Sequence, residues 1–262
     1  MTLGCHHVLS TIFLYPSRRG LRYAASVLSL ILPTYNEAGN IKAIVERLQK
    51  ILAGIPHEII VVDDDSPDGT WKIVEALSAH DTSIHSLRRV GRRGLSSAVV
   101  EGFGMAHGTV LAVADADGQH DYTILPALYQ AVVANAGLAI GSRYVEGGST
   151  GNWNESRRLL SRLATWLTLS LCRVHVADPM SGFFAISRQT FESIRSQLRP
   201  RGFKILFEIL LHVRSDTAVT EAPYTFGVRK TGESKMTFHV ELAFLFMLFS
   251  AAFHRIFTRS SL

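Results

Sequence analysis

Cysteine is nearly absent: the 262 residues include two, Cys5 and Cys172. At most one bridge can form, so a disulfide framework is excluded, as is a cysteine-built zinc site, and a reducing compartment suits the chain. Charged residues are few, 19% against 47% hydrophobic, and mean hydropathy is +0.17. That balance excludes a disordered chain and leaves apolar surface to face something other than water. No apolar run reaches the roughly 20 residues that cross a bilayer. No repeat of about 20 to 50 residues occurs, which excludes a solenoid. Acid is missing from the first 36 residues, which carry Arg18, Arg19 and Arg22 behind the apolar stretch Val8 to Leu14. A secretory signal has its positive charge in front, so this segment reads as a basic membrane-proximal arm or a mobile extension. Over the whole chain Lys+Arg exceed Asp+Glu by 27 − 22 = 5, which favours an anionic partner: nucleic acid, a phosphorylated substrate or an acidic membrane surface.

From Val27 onward apolar runs alternate with helical periodicity. Leu28 to Pro33, Glu58 to Val62, Thr109 to Ala114 and Gly137 to Ser142 read as strands. Ile41, Ile44, Val45 and Leu48 mark the first helix, Trp71, Val74 and Leu77 the second, and Ile124, Leu128 and Val132 another. Continuous Val/Ile/Leu strands separated by helices predict an α/β domain, a mostly parallel sheet covered on both faces, with ligands outside the carboxyl ends of the strands. The expected division is an extension over 1–27, one catalytic domain over 28–235 and an apolar segment over 236–262. Two stretches, Leu159 to Cys172 and Leu242 to Phe253, are apolar but too short to span; the second, apolar on every face and running on through His254, Arg255 and Arg259, reads as an interfacial helix, an interrupted membrane anchor or a buried core helix.

Three acidic clusters fall just past predicted strands: Glu37 in Pro33-Thr34-Tyr35-Asn36-Glu37, then Asp63-Asp64-Asp65-Ser66-Pro67-Asp68-Gly69-Thr70, then Asp115-Ala116-Asp117-Gly118-Gln119-His120. Any one is ordinary turn composition. Three at equivalent topological positions point to a site, because strand-end carboxylates hydrogen-bond a ribose or base and hold a divalent cation against a diphosphate. Other motifs fail on spacing. Asp115-Ala116-Asp117-Gly118 opens like a calcium loop, but Pro126 stands where the twelfth-position glutamate belongs. No P-loop occurs, and Gly102-Phe103-Gly104 lacks the third glycine of a dinucleotide fingerprint. Gly147-Gly148-Ser149-Thr150-Gly151 satisfies G-x-S-x-G but lies in a Gly/Asn-rich loop, not between a strand and a helix as a serine-hydrolase elbow must. Arg143, Arg157, Arg158, Arg229, Lys230 and Lys235 can pair with phosphate oxygens, although each alone reads as a solvated charge. Without an RNP-like aromatic strand, and with carboxylates that repel a phosphate backbone, nucleic acid is not the expected partner. A non-catalytic sugar-nucleotide-binding protein would share the acid clusters without needing cations for a second phosphate.

Pro33 to Glu37, Asp63 to Thr70, Gly94-Leu95, Asp115-Ala116-Asp117, Gly141-Ser142-Arg143, Asp178-Pro-Met-Ser-Gly-Phe-Phe184, Gly202-Phe203-Lys204 and Gly232-Glu-Ser-Lys235 follow the order seen in dolichol-phosphate mannosyltransferases. The chain resembles these family 2 glycosyltransferases of GT-A fold from about Leu28 to Lys235. The resemblance implies inverting transfer of mannose from GDP-mannose to dolichyl or other polyprenyl phosphate. It implies donor-nucleotide contacts at Pro33, Tyr35, Glu37, Asp63, Asp65 and Asp115, and a Mg²⁺ or Mn²⁺ held by Asp115, Asp117 and Gln119. It places the acceptor phosphate on Arg143, Arg157, Ser161, Arg229 and Lys235, with Asp117, Arg143, Arg157 and Arg229 as the catalytic set. A phosphate nucleophile is already ionised near neutral pH, its second pKa being about 6, so no general base is expected. The apolar segments would meet the membrane surface, with the catalytic domain on the cytoplasmic side. Gly118 stands where this family usually carries Leu, and Ser96-Ser97 replaces a Gly-Thr pair, so glucose or another hexose stays open as the donor sugar.

Overall fold

The structure, a computed structural model, describes residues 26–151, 153, 155, 161, 165, 166, 168, 169, 174–200 and 202–228. The N-terminal segment 1–25, Arg157, Arg229, Lys235, most of Leu159 to Cys172 and all of Leu242 to Phe253 lie outside the described residues. The seven strands are β1 (Leu28–Thr34), β2 (His57–Asp63), β3 (Ile84–Arg88), β4 (Val110–Val113), β5 (Leu138–Ser142), β6 (Phe184–Ser187) and β7 (Val219–Pro223). They form one sheet in the order β3-β2-β1-β4-β6-β5-β7. β6 alone runs antiparallel, against β4 and β5, and every other pairing is parallel.

The central strands are apolar on both faces because both faces are covered. Leu30, Leu32, Ile59, Val61, Val110 and Ala112 point to one face, where they pack with α1 (Ile41–Ile51), α2 (Thr70–Ser78) and α4 (Leu125–Val133). Ile31, Ile60, Val62, Leu111 and Val113 alternate to the other, against α3 (Leu95–Met105), α5 (Arg188–Ile194) and α6 (Ile205–His212). Helix α1 shows why the local pattern works: Ile41, Ile44, Val45 and Leu48 recur at i, i+3, i+4 and i+7, and all four are buried. On the second face Phe103 meets Phe191 and Phe184 edge-to-face at 5.0 and 6.5 Å between centroids. Gly102-Phe103-Gly104 is therefore core helix, in keeping with its failure as a dinucleotide fingerprint.

The four strands expected from the sequence are present, with ends shifted by a residue or so. β3, β6 and β7 are additions. β3 and β7 are edge strands broken by polar residues, His85, Ser86 and Arg88 in the one and Thr220 and Glu221 in the other, so neither gives a continuous apolar run, and β6 has three apolar residues before Ser187.

Candidate active site

The chain runs from β1 outward to β3 and then returns past β1 to β4, which makes the β1/β4 boundary the switch point where a doubly wound sheet opens a crevice. Because β6 is reversed, the loop before it reaches the same edge as the loops after β1, β2, β3, β4, β5 and β7.

The loop after β4 holds the acidic centre. The Asp115 backbone N–H donates to His120 Nδ1 at 3.0 Å, and the Asp115 carbonyl accepts from the Tyr122 hydroxyl at 2.6 Å. Its carboxylate Oδ2 stands 3.5 Å from His120 Nε2. His120 is 2% exposed; it stacks on Phe183 at 4.9 Å and takes the edges of Tyr224 and Phe226 at 5.7 and 6.0 Å. Burial pushes its pKa down to about 4 against the opposing pull of Asp117. The ring is neutral at physiological pH, and since Nδ1 accepts, Nε2 carries the proton. Gly118, at φ +76°, turns the chain so that the Gln119 N–H donates to Asp117 Oδ1 at 3.0 Å. Gln119 Nε2 donates to the Gly227 carbonyl at 3.2 Å and the Gln119 backbone carbonyl accepts from Gly227 N–H at 2.7 Å.

This loop fits a divalent cation. A Cβ on Gly182 would stand 3.4 and 3.6 Å from the two carboxylate oxygens of Asp115, so the glycine keeps open the space against them. Among the described residues no group of three or more His, Cys, Asp or Glu side chains is placed to hold a metal. The oxygen donors that the loop would offer are two carboxylates, Asp115 and Asp117, and the Gln119 amide oxygen, hard donors of the kind Mg²⁺ and Mn²⁺ take.

The carboxylates after β1 and β2 divide into inward and outward groups. Asp63 is 0% exposed. Its Oδ2 accepts from the Thr34 and Ser66 hydroxyls at 2.9 and 2.6 Å, and its Oδ1 from the Ser66 N–H at 2.8 Å. The expected nucleoside contact is corrected here: Asp63 ties the ends of β1 and β2 together and no part of it reaches solvent. Glu37 is also buried, accepting from Asn40 Nδ2 at 2.8 Å while its N–H donates to Thr70 Oγ1 at 2.9 Å. Asp64 takes the Gly94 N–H at 2.8 Å and pairs with the fully buried Arg89 at 2.9 Å; burial raises its pKa against both contacts. Pro33, Tyr35 and Asp65 remain toward the surface. Arg88 Nε and Nη2 reach Asp65 Oδ1 at 2.7 and 2.6 Å, with the guanidinium 3.7 Å from the Trp71 ring centroid. Arg93 lies over Tyr35 in the same way, 4.3 Å from its ring centroid, with Nη2 donating to the phenol oxygen at 2.7 Å.

The cationic half follows β5. Arg143 grips Asp178 with Nε, Nη2 and its backbone N–H at 2.7, 2.8 and 3.0 Å. Its guanidinium lies 5.2, 5.5 and 5.8 Å from the Trp153, Tyr144 and Phe226 rings. Burial alone would lower its pKa, but Asp178 raises it above the ordinary arginine value. Asp178 is held in turn by Glu221 of β7, which accepts from the Ala177 and Asp178 N–H groups at 2.6 and 3.1 Å. Arg143, expected at the acceptor phosphate, is thus turned inward with one edge committed to a carboxylate. Ser161 Oγ is 2.7 Å from the Tyr144 hydroxyl. Beside it Tyr144, Thr165, Trp166, Leu169 and Ala177 line a cavity of about 290 Å³, and Trp166 is 67% exposed. Ser149 sits in an exposed turn where its Oγ accepts from the Gly151 N–H at 3.1 Å, with no strand-to-helix elbow around it.

Sequence reasoning assigned no role to His120, Tyr122, Asp178 or Glu221. The first two lie five and seven positions beyond Asp115, on the side of the loop that turns back over it. The last two reach Arg143 only through the sheet order, which local spacing does not encode.

A mostly parallel sheet with one reversed strand and an acidic loop at its carboxyl edge is an architecture shared with known glycosyltransferases. Residues 29–195 match the glycosyl transferase family 2 model, and the chain belongs to that family. It is 44% identical over 210 residues to a dolichol-phosphate mannosyltransferase of Pyrococcus furiosus, covering 79% of this chain and 58% of that protein, so it spans little more than half the relative's length. To the dolichol-phosphate mannosyltransferase of Saccharomyces cerevisiae it is 37% identical over 229 residues, covering 83% and 84% of the two chains. The fold is GT-A-like: a glucosyl-3-phosphoglycerate synthase from Mycobacterium tuberculosis, solved with Mn²⁺, uridine diphosphate and glucosyl-3-phosphoglycerate, superposes with a TM-score of 0.58 at 22% identity, over 88% of this chain and 80% of that one.

Proposed function

We propose that the chain transfers mannose from GDP-mannose to the phosphate of a polyprenyl lipid, dolichyl or a relative of it, with inversion at the anomeric carbon. The observation that carries the reading is the meeting of two chemically opposite halves at one edge. The oxygen-donor loop Asp115 to Gln119 suits a cation-bound diphosphate, and the Arg143/Asp178 and Tyr144/Ser161 pairs beside it suit a second phosphate. Phe226 touches both halves, packing on His120 and on the Arg143 guanidinium. The relatives named dolichol-phosphate mannosyltransferases give that second phosphate its lipid.

Asp115, Asp117 and Gln119 would hold Mg²⁺ or Mn²⁺, which when bound neutralises the leaving diphosphate. The chain's own groups do the rest. Tyr35 and Asp65 border the nucleoside, and the arginines over them supply stacked, planar cations. Arg143, fixed by Asp178, presents its remaining edge to the acceptor phosphate, and Ser161, oriented by Tyr144, adds a hydroxyl donor. Arg157, Arg229 and Lys235 are assigned to the same phosphate. Catalysis then rests on position and electrostatics, with an already ionised nucleophile and no side chain removing a proton. Among the described residues no helix is long and apolar enough to cross a membrane. We place this edge against a membrane surface, with Trp166 and its apolar cavity toward the lipid, on the cytoplasmic side.

The test offers radiolabelled GDP-mannose, UDP-glucose and other nucleotide sugars with polyprenyl phosphate and either Mg²⁺ or Mn²⁺, and counts label extracted into organic solvent. Lipid labelled from GDP-mannose, only with metal present, is expected. Label from UDP-glucose alone would replace the donor, and no lipid label from any donor would sink the reading.

A further inference from the structure

Asp65 turns outward between two anchored neighbours. Asp64 and Ser66 are 7% and 1% exposed. The Asp64 N–H donates to the Thr34 carbonyl at 3.0 Å and its carboxylate takes the Gly94 N–H at 2.8 Å, while the Ser66 N–H and hydroxyl both go to Asp63. With the chain held on either side, Asp65 adopts a left-handed backbone at φ 56°, a conformation that aspartate tolerates better than most residues and that persists where its surroundings impose it. The side chain is fixed as well. Arg88 Nε donates to Oδ1 at 2.7 Å and Nη2 stands 2.6 Å from the same oxygen, while the guanidinium lies over Trp71, 3.7 Å from its ring centroid. Both contacts fall on Oδ1, so Oδ2 is the oxygen left to a ligand. As an ion pair the contact contributes little to the fold, because the two side chains keep 37% and 35% of their surface. What it secures is orientation.

We propose that Arg88, itself braced by Trp71, is a positioning residue for the donor nucleoside: it holds Asp65 so that Oδ2 meets an N–H or O–H donor of the nucleoside, and it acts through Asp65 and not by touching the ligand. The inference rests on the reading of Asp65 as a nucleoside contact given above. Its physical basis is pre-organisation. A free surface carboxylate loses rotamer freedom when it binds, whereas one already fixed in place does not. Arginine suits the task, since its planar fork reaches the carboxylate with two nitrogens while its face lies over an indole, a combination that the point charge of lysine does not reproduce.

The test measures GDP affinity of the full chain by titration calorimetry with Mg²⁺ present. Arg88→Ala is expected to weaken GDP binding by about 3- to 10-fold, the cost of ordering one freed side chain, with melting close to wild type. Arg88→Lys keeps the charge but loses the fork and the stack, so it should lose as much as the alanine variant; wild-type affinity there would show that charge suffices and overturn the inference. Asp65→Ala should weaken GDP binding too, and adding Arg88→Ala to it should change nothing further, because a brace has no effect once the group it braces is gone. Additive losses would overturn the inference by showing that Arg88 meets the ligand itself. The two layers of argument separate. A loss in Asp65→Ala with none in Arg88→Ala removes only the role of Arg88, whereas GDP binding undisturbed by Asp65→Ala removes the nucleoside contact and this inference with it.

Discussion

Both ends of the central strands carry a carboxylate held by histidine, and they are treated in opposite ways. At the amino-terminal edge Glu58 is 7% exposed and saturated: it accepts from the Ser29 hydroxyl and the His107 N–H, each at 2.6 Å, and from Gly108 N–H at 3.3 Å. His85 and His107 reach its other oxygen at 3.2 and 3.3 Å. At the carboxyl edge Asp115 is braced through its backbone, and its side chain keeps 32% of its surface. A carboxylate whose oxygens are all spoken for welds strands together, whereas Asp115 is held through its main chain and keeps part of its side chain at the surface.

Four measurements bear on that contrast. The largest effect is expected at Asp117, where Asp117→Ala should cut transfer by more than about 100-fold with an unchanged fold; near-wild-type turnover at saturating Mn²⁺ would erase the distinction between the edges. Next is Glu58→Ala, which strands the Ser29 hydroxyl and the His107 N–H, Gly108 N–H keeping Ser29 Oγ at 2.8 Å, and should cost about 3 kcal/mol, or roughly 10 °C in melting temperature for a domain of this size, with the donor KM unaltered. Glu58 adds a pH test. Burial pushes its pKa up, but the Ser29 and His107 contacts outweigh this and hold it below the ordinary value of 4.5. Its contribution is thus complete above about pH 4.5 and is lost as pH falls through the lower folded value. The melting-temperature gap between wild type and Glu58→Gln should accordingly close on acidification, and a gap that widens would show that Glu58 is not held as an anion. The smallest effect is expected at Arg88, whose pair with Asp65 is more than one-third exposed on both sides. Arg88→Ala should change stability by about 1 kcal/mol or less; a loss as large as that at Glu58 would mean exposure is the wrong criterion.

Much of this was legible in the sequence where periodicity and position coincide. The four apolar strands and the Asp115/Asp117/Gln119 loop follow from continuous apolar runs ending in acid. What was hidden depends on direction. Asp63 and Asp65 are two residues apart, yet the first turns into the sheet ends and the second, at φ 56°, turns out. No spacing rule distinguishes them. Arg143 looked like a free cation because its partner, Asp178, is 35 positions away and arrives only when β6 slots between β4 and β5.

That reversed strand also governs when the site can exist at all. Residues 115 and 182, or 143 and 178, become neighbours only after a segment made late in the chain has paired with two strands made earlier, a closure of long loops that is slow on entropic grounds. Both halves of the edge wait on it: His120 stacks on Phe183 just ahead of β6, and Arg143 pairs with Asp178, so neither the acidic loop nor the cationic half takes its folded arrangement until the sheet closes.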